Sequence, residues 1–162
     1  MPNRAMTNPQ VLVVLAASPP RIAELTAGLT PEQLRAAPAP GEWSAVDILA
    51  HLRSCADVWG QCIAMILAED APTIRAVNPT TWVSRTDYRE QQFQPSRAAF
   101  EVQRAALLAA LEPLTPDDWL RTATVTGAGK ALERTVRFYA EWLATHERSH
   151  LRPIERIVRA RR

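Results

Sequence analysis

Lysine, cysteine and histidine are scarce in this 162-residue chain, which has one lysine, two cysteines and three histidines. Lys130 stands beside 18 arginines, and 19 basic against 17 acidic residues leave a formal charge of +2. So small an excess argues against a nucleic-acid binder that works by strong electrostatics. The arginine skew, together with abundant alanine, reads as codon usage in a GC-rich genome rather than as a basic surface. Two cysteines exclude a disulfide scaffold. Cys55 and Cys62 fall in what reads as one helix, which sets their Cα atoms roughly 10 Å apart at the helical rise, too far for a disulfide. Two unpaired thiols fit a reducing cytoplasm. With only 5 glycines, 47% apolar and 22% charged residues, collagen-like and wholly disordered readings are excluded. The longest clean apolar run, Val11–Ala17, is far short of the roughly 20 residues of a membrane helix. Arg4, that run and Ala16-Ala17-Ser18 have the outline of a short secretory signal. The stretch before the run is polar and broken by Pro9, so the run reads as a core helix near the N-terminus.

The length fits one domain. Residues 1–8 read as a loose tail and 9–160 as a single four-helix-bundle domain. Val11–Ala17 and Ile22–Leu29 read as two helical pieces separated by Pro19-Pro20, because proline is best tolerated in a first helical turn. Thr30–Leu34 looks like a short capped turn. Ser44-Ala45-Val46-Asp47 has the form of a capping box, with Trp43 placed to staple the start of the helix. Apolar residues then keep a helical period to about Glu69. A third helix is expected from about Pro95-Ser96 to Glu112, and a fourth from about Glu133 to Arg159. Thr122–Lys130 reads as loop or extended. Strand signals are almost absent, so the expected architecture is all-α, a four-helix bundle with short extra helices in two long connections. Such connections often cover a site.

The histidines then become informative. His146 and His150 lie four apart on the face of the last helix that also carries Val136, Tyr139, Leu143 and Ile157. His51 shares its face with Cys55, Val58 and Cys62. His51 is roughly 10 Å from the start of its helix, and His150 and His146 are roughly 14 and 20 Å from the end of theirs. Antiparallel packing brings all three to one level. Three imidazoles at one point make a divalent-metal site with open positions, for which zinc or nickel is expected. His146-Glu147-Arg148-Ser149-His150 also spells the zinc-protease pattern, in which Glu147 would activate water. No distant third ligand follows it and no sheet is expected to hold a peptide, so Glu147 is expected beside the site or on the helix surface.

The order Trp43-Ser44, His51-Leu52 and His146-x-x-x-His150-Leu151 resembles the DinB/YfiT-like superfamily. The likeness runs from about Gln10 to Ile157. It includes the Pro-interrupted first helix, the Pro40–Ser44 lead-in and a weak strand-like, glycine-containing segment before the last helix. The resemblance implies an up-down-down-up bundle, His51, His146 and His150 as metal ligands, and a homodimer. Its characterised members include thiol S-transferases that use bacillithiol or mycothiol, and a mycothiol-dependent maleylpyruvate isomerase. The name implies no polymerase activity. Pro153 departs from the pattern, since it cannot bond back to Ser149 and is expected to kink the last helix.

Together these readings point to a metal-dependent enzyme of thiol S-transferase or hydrolase type, acting on a small molecule in the cytoplasm. Three neutral imidazoles would leave the ion its full charge and ease proton loss from a bound water or thiol. The competing reading is a non-enzymatic metal-binding stress-response module that acts through dimerisation or ligand binding. Cys55 could add a ligand or sense redox state, although a cysteine there is more often a small core residue. Trp82, Tyr88 and Trp119 lie in the long connections and are candidate pocket walls, whereas Trp59 and Trp142 read as core.

Overall fold

A computed structural model describes residues 4–161. Seven α-helices and three short strands follow in the order α1 (Asn8–Thr26), α2 (Pro31–Arg35), α3 (Ala45–Ala68), β1 (Thr73–Arg75), α4 (Pro79–Trp82), α5 (Phe93–Leu111), α6 (Pro116–Trp119), β2 (Thr122–Thr126), β3 (Leu132–Thr135) and α7 (Val136–Ala160), with a 3₁₀ turn at Val83–Arg85. The four long helices α1, α3, α5 and α7 make the bundle. Among the described residues, no helix is long and apolar enough to cross a membrane.

Local chemistry sets the helix starts. Thr7 with Gln10, Thr30 with Gln33, Ser44 with Asp47 and Thr115 with Asp118 form reciprocal capping boxes, so two otherwise orphaned N–H groups are satisfied at each start. Thr135 caps α7 by accepting from the Phe138 N–H, which places the helix start a little later than Glu133. Residues 1–3 of the expected loose tail lie outside the described residues. Just before α1, the Met6 N–H donates to Glu141 Oε1 at 3.0 Å, and the Met6 carbonyl accepts from Arg137.

The first helix corrects the expectation of two pieces, because α1 runs unbroken through Pro19 and Pro20. Pro19 has no N–H to offer the Leu15 carbonyl one turn back. That carbonyl instead accepts from Arg104 Nη1 at 3.0 Å. A side chain from α5 thus replaces the missing backbone donor. In α7 the helix likewise continues through Pro153.

Pairwise contacts give the helix directions. Along α3, His51, Trp59 and Cys62 meet His150 and His146, then Trp142, then Tyr139, so α3 and α7 are antiparallel. Arg53 meets Ser96 and Asp57 meets Gln103, so α3 and α5 are parallel. Asn8 meets Arg137 and Arg21 meets Glu155, so α1 and α7 are parallel. This is the up-down-down-up order. Two parallel neighbours in a row require the chain to travel back from the end of α3 to the start of α5, which accounts for the long 69–92 connection.

The segment read as loop or extended from Thr122 holds β2, the middle strand of a small three-stranded sheet. β1 pairs parallel with β2, and β2 pairs antiparallel with β3. The β2–β3 turn needs left-handed backbone at Gly127 and Gly129, which only glycine adopts without strain. β1 is three residues long, too short for a visible alternation. The sheet sits where α3 ends and α7 begins, away from the histidines.

The apolar core has two parts. Ile66, Leu111 and Leu143 belong to one, and Leu49, Phe100 and Ile154 to the other. Between these levels on α5 and α7 sit Arg104 and Glu147, which are 2% and 0% exposed and paired to each other. A polar layer therefore crosses the middle of the bundle.

Candidate metal centre

α3 and α7 each contribute one face in steps of four residues. On α3 the face is His51, Cys55 and Trp59, and on α7 it is Trp142, His146 and His150. Four-residue steps keep side chains stacked along one side of a helix. Antiparallel packing sets the two ladders against each other.

His51 Nε2 and His146 Nε2 lie 2.8 Å apart, a hydrogen bond in which one neutral ring donates to the other. The His150 ring lies 4.9 Å from that of His51 and 4.5 Å from that of His146, centroid to centroid. Cys55 Sγ is 3.6 Å from His51 Nε2. Among the described residues, the donor atoms of His51, Cys55 and His146 all lie within 4.8 Å of one another. The His150 ring packs against the two histidines, but its nitrogens do not join that tight group.

Two tryptophans complete the walls. Trp43 packs at 5.0 Å on His51 and lies nearly parallel to His150 at 6.1 Å. Trp59 sets its edge against His146 at 5.4 Å and against Trp142 at 5.9 Å. Trp43 and Trp142 remain 39% and 48% exposed, so the cluster lies near the surface with aromatic shoulders.

Burial holds all three imidazoles below their ordinary value. His51 is lowered to about 4, first by desolvation and then by its neighbours His150, His146 and Arg89. His146 is lowered by burial, and His150 by burial and by His146. Lowered in this way, the rings are mainly uncharged at neutral pH, and each carries one nitrogen lone pair that could bind an ion once the bond between His51 and His146 opens. Burial, with a further push from the Glu147 carboxylate, raises the Cys55 thiol to about 12. A donor set of imidazole nitrogens with a nearby sulfur, and no carboxylate among them, suits zinc, nickel or cobalt better than magnesium or calcium.

Several sequence expectations are corrected. Glu147 does not lie on the helix surface, and although its carboxylate acts on Cys55 next to the histidines, its bonds go elsewhere. It is fully buried and joined to Arg104 by two bonds, with Nη1 donating to Oε2 at 2.7 Å and Nη2 donating to Oε1. Trp119 is no pocket wall, since it is 3% exposed and packs within the core. Trp82 and Tyr88 turn toward Asp57 rather than the histidines. Trp82 Nε1 donates to Asp57 Oδ2 at 3.1 Å, the Tyr88 hydroxyl donates to the same oxygen at 2.6 Å, and Gln103 Nε2 donates to Oδ1 at 2.6 Å. Burial and the bond to Asp57 raise the Tyr88 hydroxyl to about 12. Asp57 thus ties the 69–92 connection and α5 to α3. Trp82 also lines a cavity of ≈ 660 Å³ between α3 and α5, a space that none of the three histidines borders.

Sequence reading missed Trp43 and Trp59 as neighbours of the histidines. The signal was present in the paired ladders His51-x-x-x-Cys55-x-x-x-Trp59 and Trp142-x-x-x-His146-x-x-x-His150. It also missed Arg104, whose four-residue spacing from Phe100 places an arginine on an apolar face.

No curated protein matches the chain. Among solved structures, the fold is similar to YfiT from Bacillus subtilis, described as a probable metal-dependent hydrolase with an unusual four-helix bundle topology. The two share 19% identity with a TM-score of 0.80, over 98% of this chain and 91% of that one. The sequence pattern of the DinB superfamily matches residues 15–154, and the chain belongs to that superfamily.

Proposed function

We propose that His51, His146 and His150 hold a divalent metal ion, zinc or nickel, in an enzyme that acts on a small molecule. The observation that carries this reading is the convergence of all three histidines of the chain, each held uncharged by burial, on one level between α3 and α7. When bound, such an ion supplies Lewis acidity that eases proton loss from a water or a thiol.

The chain's own residues do the rest. Neutral imidazoles bring no negative charge, so the charge at the site is not quenched. Trp43 and Trp59 pack against the rings of His51 and His146 and hold their planes. Trp43 and Trp142 offer flat apolar surface at the mouth. Glu147 takes no part in water activation, because both of its oxygens are bonded to Arg104.

Two reaction types fit this arrangement. The likeness to a probable metal-dependent hydrolase supports hydrolysis. Superfamily membership equally supports transfer of a small thiol such as mycothiol or bacillithiol to an electrophile. The reading includes a cytoplasmic homodimer, which the two buried, unpaired cysteines support as far as the compartment goes.

A panel assay on tag-free protein tests the proposal, offering mycothiol, bacillithiol or glutathione with electrophiles, and simple esters and amides for hydrolysis. Metal-dependent turnover that disappears in His51→Ala is expected. Bound metal without turnover of any thiol or ester would instead favour a non-enzymatic metal-binding module.

A further inference from the structure

We infer that Cys55 is itself a ligand of the bound ion, adding a thiolate to the imidazoles of the site. The inference rests on the metal site proposed above and goes beyond it, because it changes the donor set and the number of open positions.

The geometry comes first. Cys55 follows His51 by one helical turn, so both side chains leave α3 on the same side. Its Sγ lies 3.6 Å from His51 Nε2. A tetrahedral ion with bonds of about 2.3 Å to sulfur and about 2.0–2.1 Å to nitrogen holds those two atoms about 3.6 Å apart. The Nε2 atoms of His51 and His146, 2.8 Å apart, would have to open by about half an ångström to take two such positions. Sγ therefore already stands at ligand spacing from His51. Cys55 belongs to the tight donor group, which His150 joins only through its ring.

Cys62 supplies an internal contrast. It is also buried and unpaired, but its neighbour is the Tyr139 hydroxyl, and it lies outside the donor group. Only one of the two thiols faces imidazole nitrogens.

Binding breaks the S–H bond, the sulfur lone pair goes to the ion, and the proton leaves to solvent. The Glu147 carboxylate is held by Arg104 within its own ion pair. Two consequences follow for the ion. A soft sulfur donor shifts preference toward zinc or cobalt and away from magnesium or manganese. With His150 brought in, the three histidines and Cys55 would supply the four donors of a closed tetrahedral site, leaving fewer positions for substrate than three histidines alone.

Cobalt(II) reports directly on sulfur ligation. Cobalt added to tag-free, full-length apoprotein is expected to give visible d–d bands together with a near-ultraviolet thiolate-to-cobalt charge-transfer band. Cys62→Ser should keep that band. Cys55→Ser and Cys55→Ala should lose it while still binding cobalt. Visible bands with no charge-transfer band in the unaltered protein would overturn the role of Cys55 and leave the histidine site standing. A charge-transfer band that survives in both Cys55 variants would overturn it as well. Absence of any cobalt binding would overturn the metal site and this inference together. Zinc X-ray absorption of the unaltered protein needs no folded variant, and one sulfur at about 2.3 Å is expected. A shell of nitrogen and oxygen alone would contradict the inference.

Discussion

Arg104 and Glu147 meet across α5 and α7 as a two-point ion pair that is 2% and 0% exposed. The same guanidinium donates to the Leu15 carbonyl left free by Pro19. One arginine thus joins three of the four long helices. The arrangement also explains why a protease-like His-Glu-x-x-His spelling here carries no protease geometry. Removing one partner of a buried pair leaves an uncompensated charge, which costs about 3–5 kcal/mol. Glu147→Gln should therefore melt roughly 10 °C lower, with one zinc per chain still bound at 25 °C. Thermal melts and metal analysis check this. A stable Glu147→Gln that fails to bind zinc would show that the glutamate serves the site instead.

Acid should weaken the apoprotein through its histidines. His51 is lowered to about 4 in the folded state, and His146 and His150 also lie below the ordinary 6.5. The unfolded chain therefore takes up protons first as pH falls. The stability these groups contribute is present above about pH 6.5 and is lost as pH drops from there toward 4. Urea midpoints of metal-free protein at pH 7 and pH 4.5 measure it, and His51→Phe should flatten the dependence.

Trp43 and Trp59 touch His51 and His146, whereas Trp119 lies in the core and Trp82 beside the separate cavity. Nickel or cobalt should quench part of the tryptophan emission. That part should vanish in a Trp43→Phe, Trp59→Phe, Trp142→Phe triple variant and persist in Trp119→Phe. Equal quenching in all three proteins would place the ion elsewhere.

Asp57 receives hydrogen bonds from Trp82, Tyr88 and Gln103. Hydrogen bonds to a charged group contribute about 1.5–3 kcal/mol each. Asp57→Ala should lower the urea midpoint and loosen the 69–92 connection, seen as faster proteolysis there, without changing zinc affinity. Slower proteolysis or lost zinc binding would contradict the role given to Asp57.

The four long helices and the level of the histidines were legible because they rest on local codes, whereas the up-down-down-up order came only from the resemblance to the DinB/YfiT-like superfamily. The Ser44–Asp47 capping box marks the start of α3, and helical spacing places His51, His146 and His150. What escaped depends on partners distant in sequence. Pro19-Pro20 reads as a break until Arg104, 89 residues from Leu15, supplies the missing donor. β1 is a strand only because β2 lies beside it. Glu147 is chemically ambiguous until the Arg104 side chain is found opposite it. Trp82 and Tyr88 were placed in the right connection, but Asp57, which determines where they point, gives no sequence signal.

Zinc titration calorimetry on tag-free apoprotein, with His51→Ala, His146→Ala and His150→Ala beside it, tests the metal centre most directly. One zinc per chain is expected for the unaltered protein, with binding lost or greatly weakened in each variant. No heat of binding in the unaltered protein, or unchanged binding in all three variants, would contradict the account.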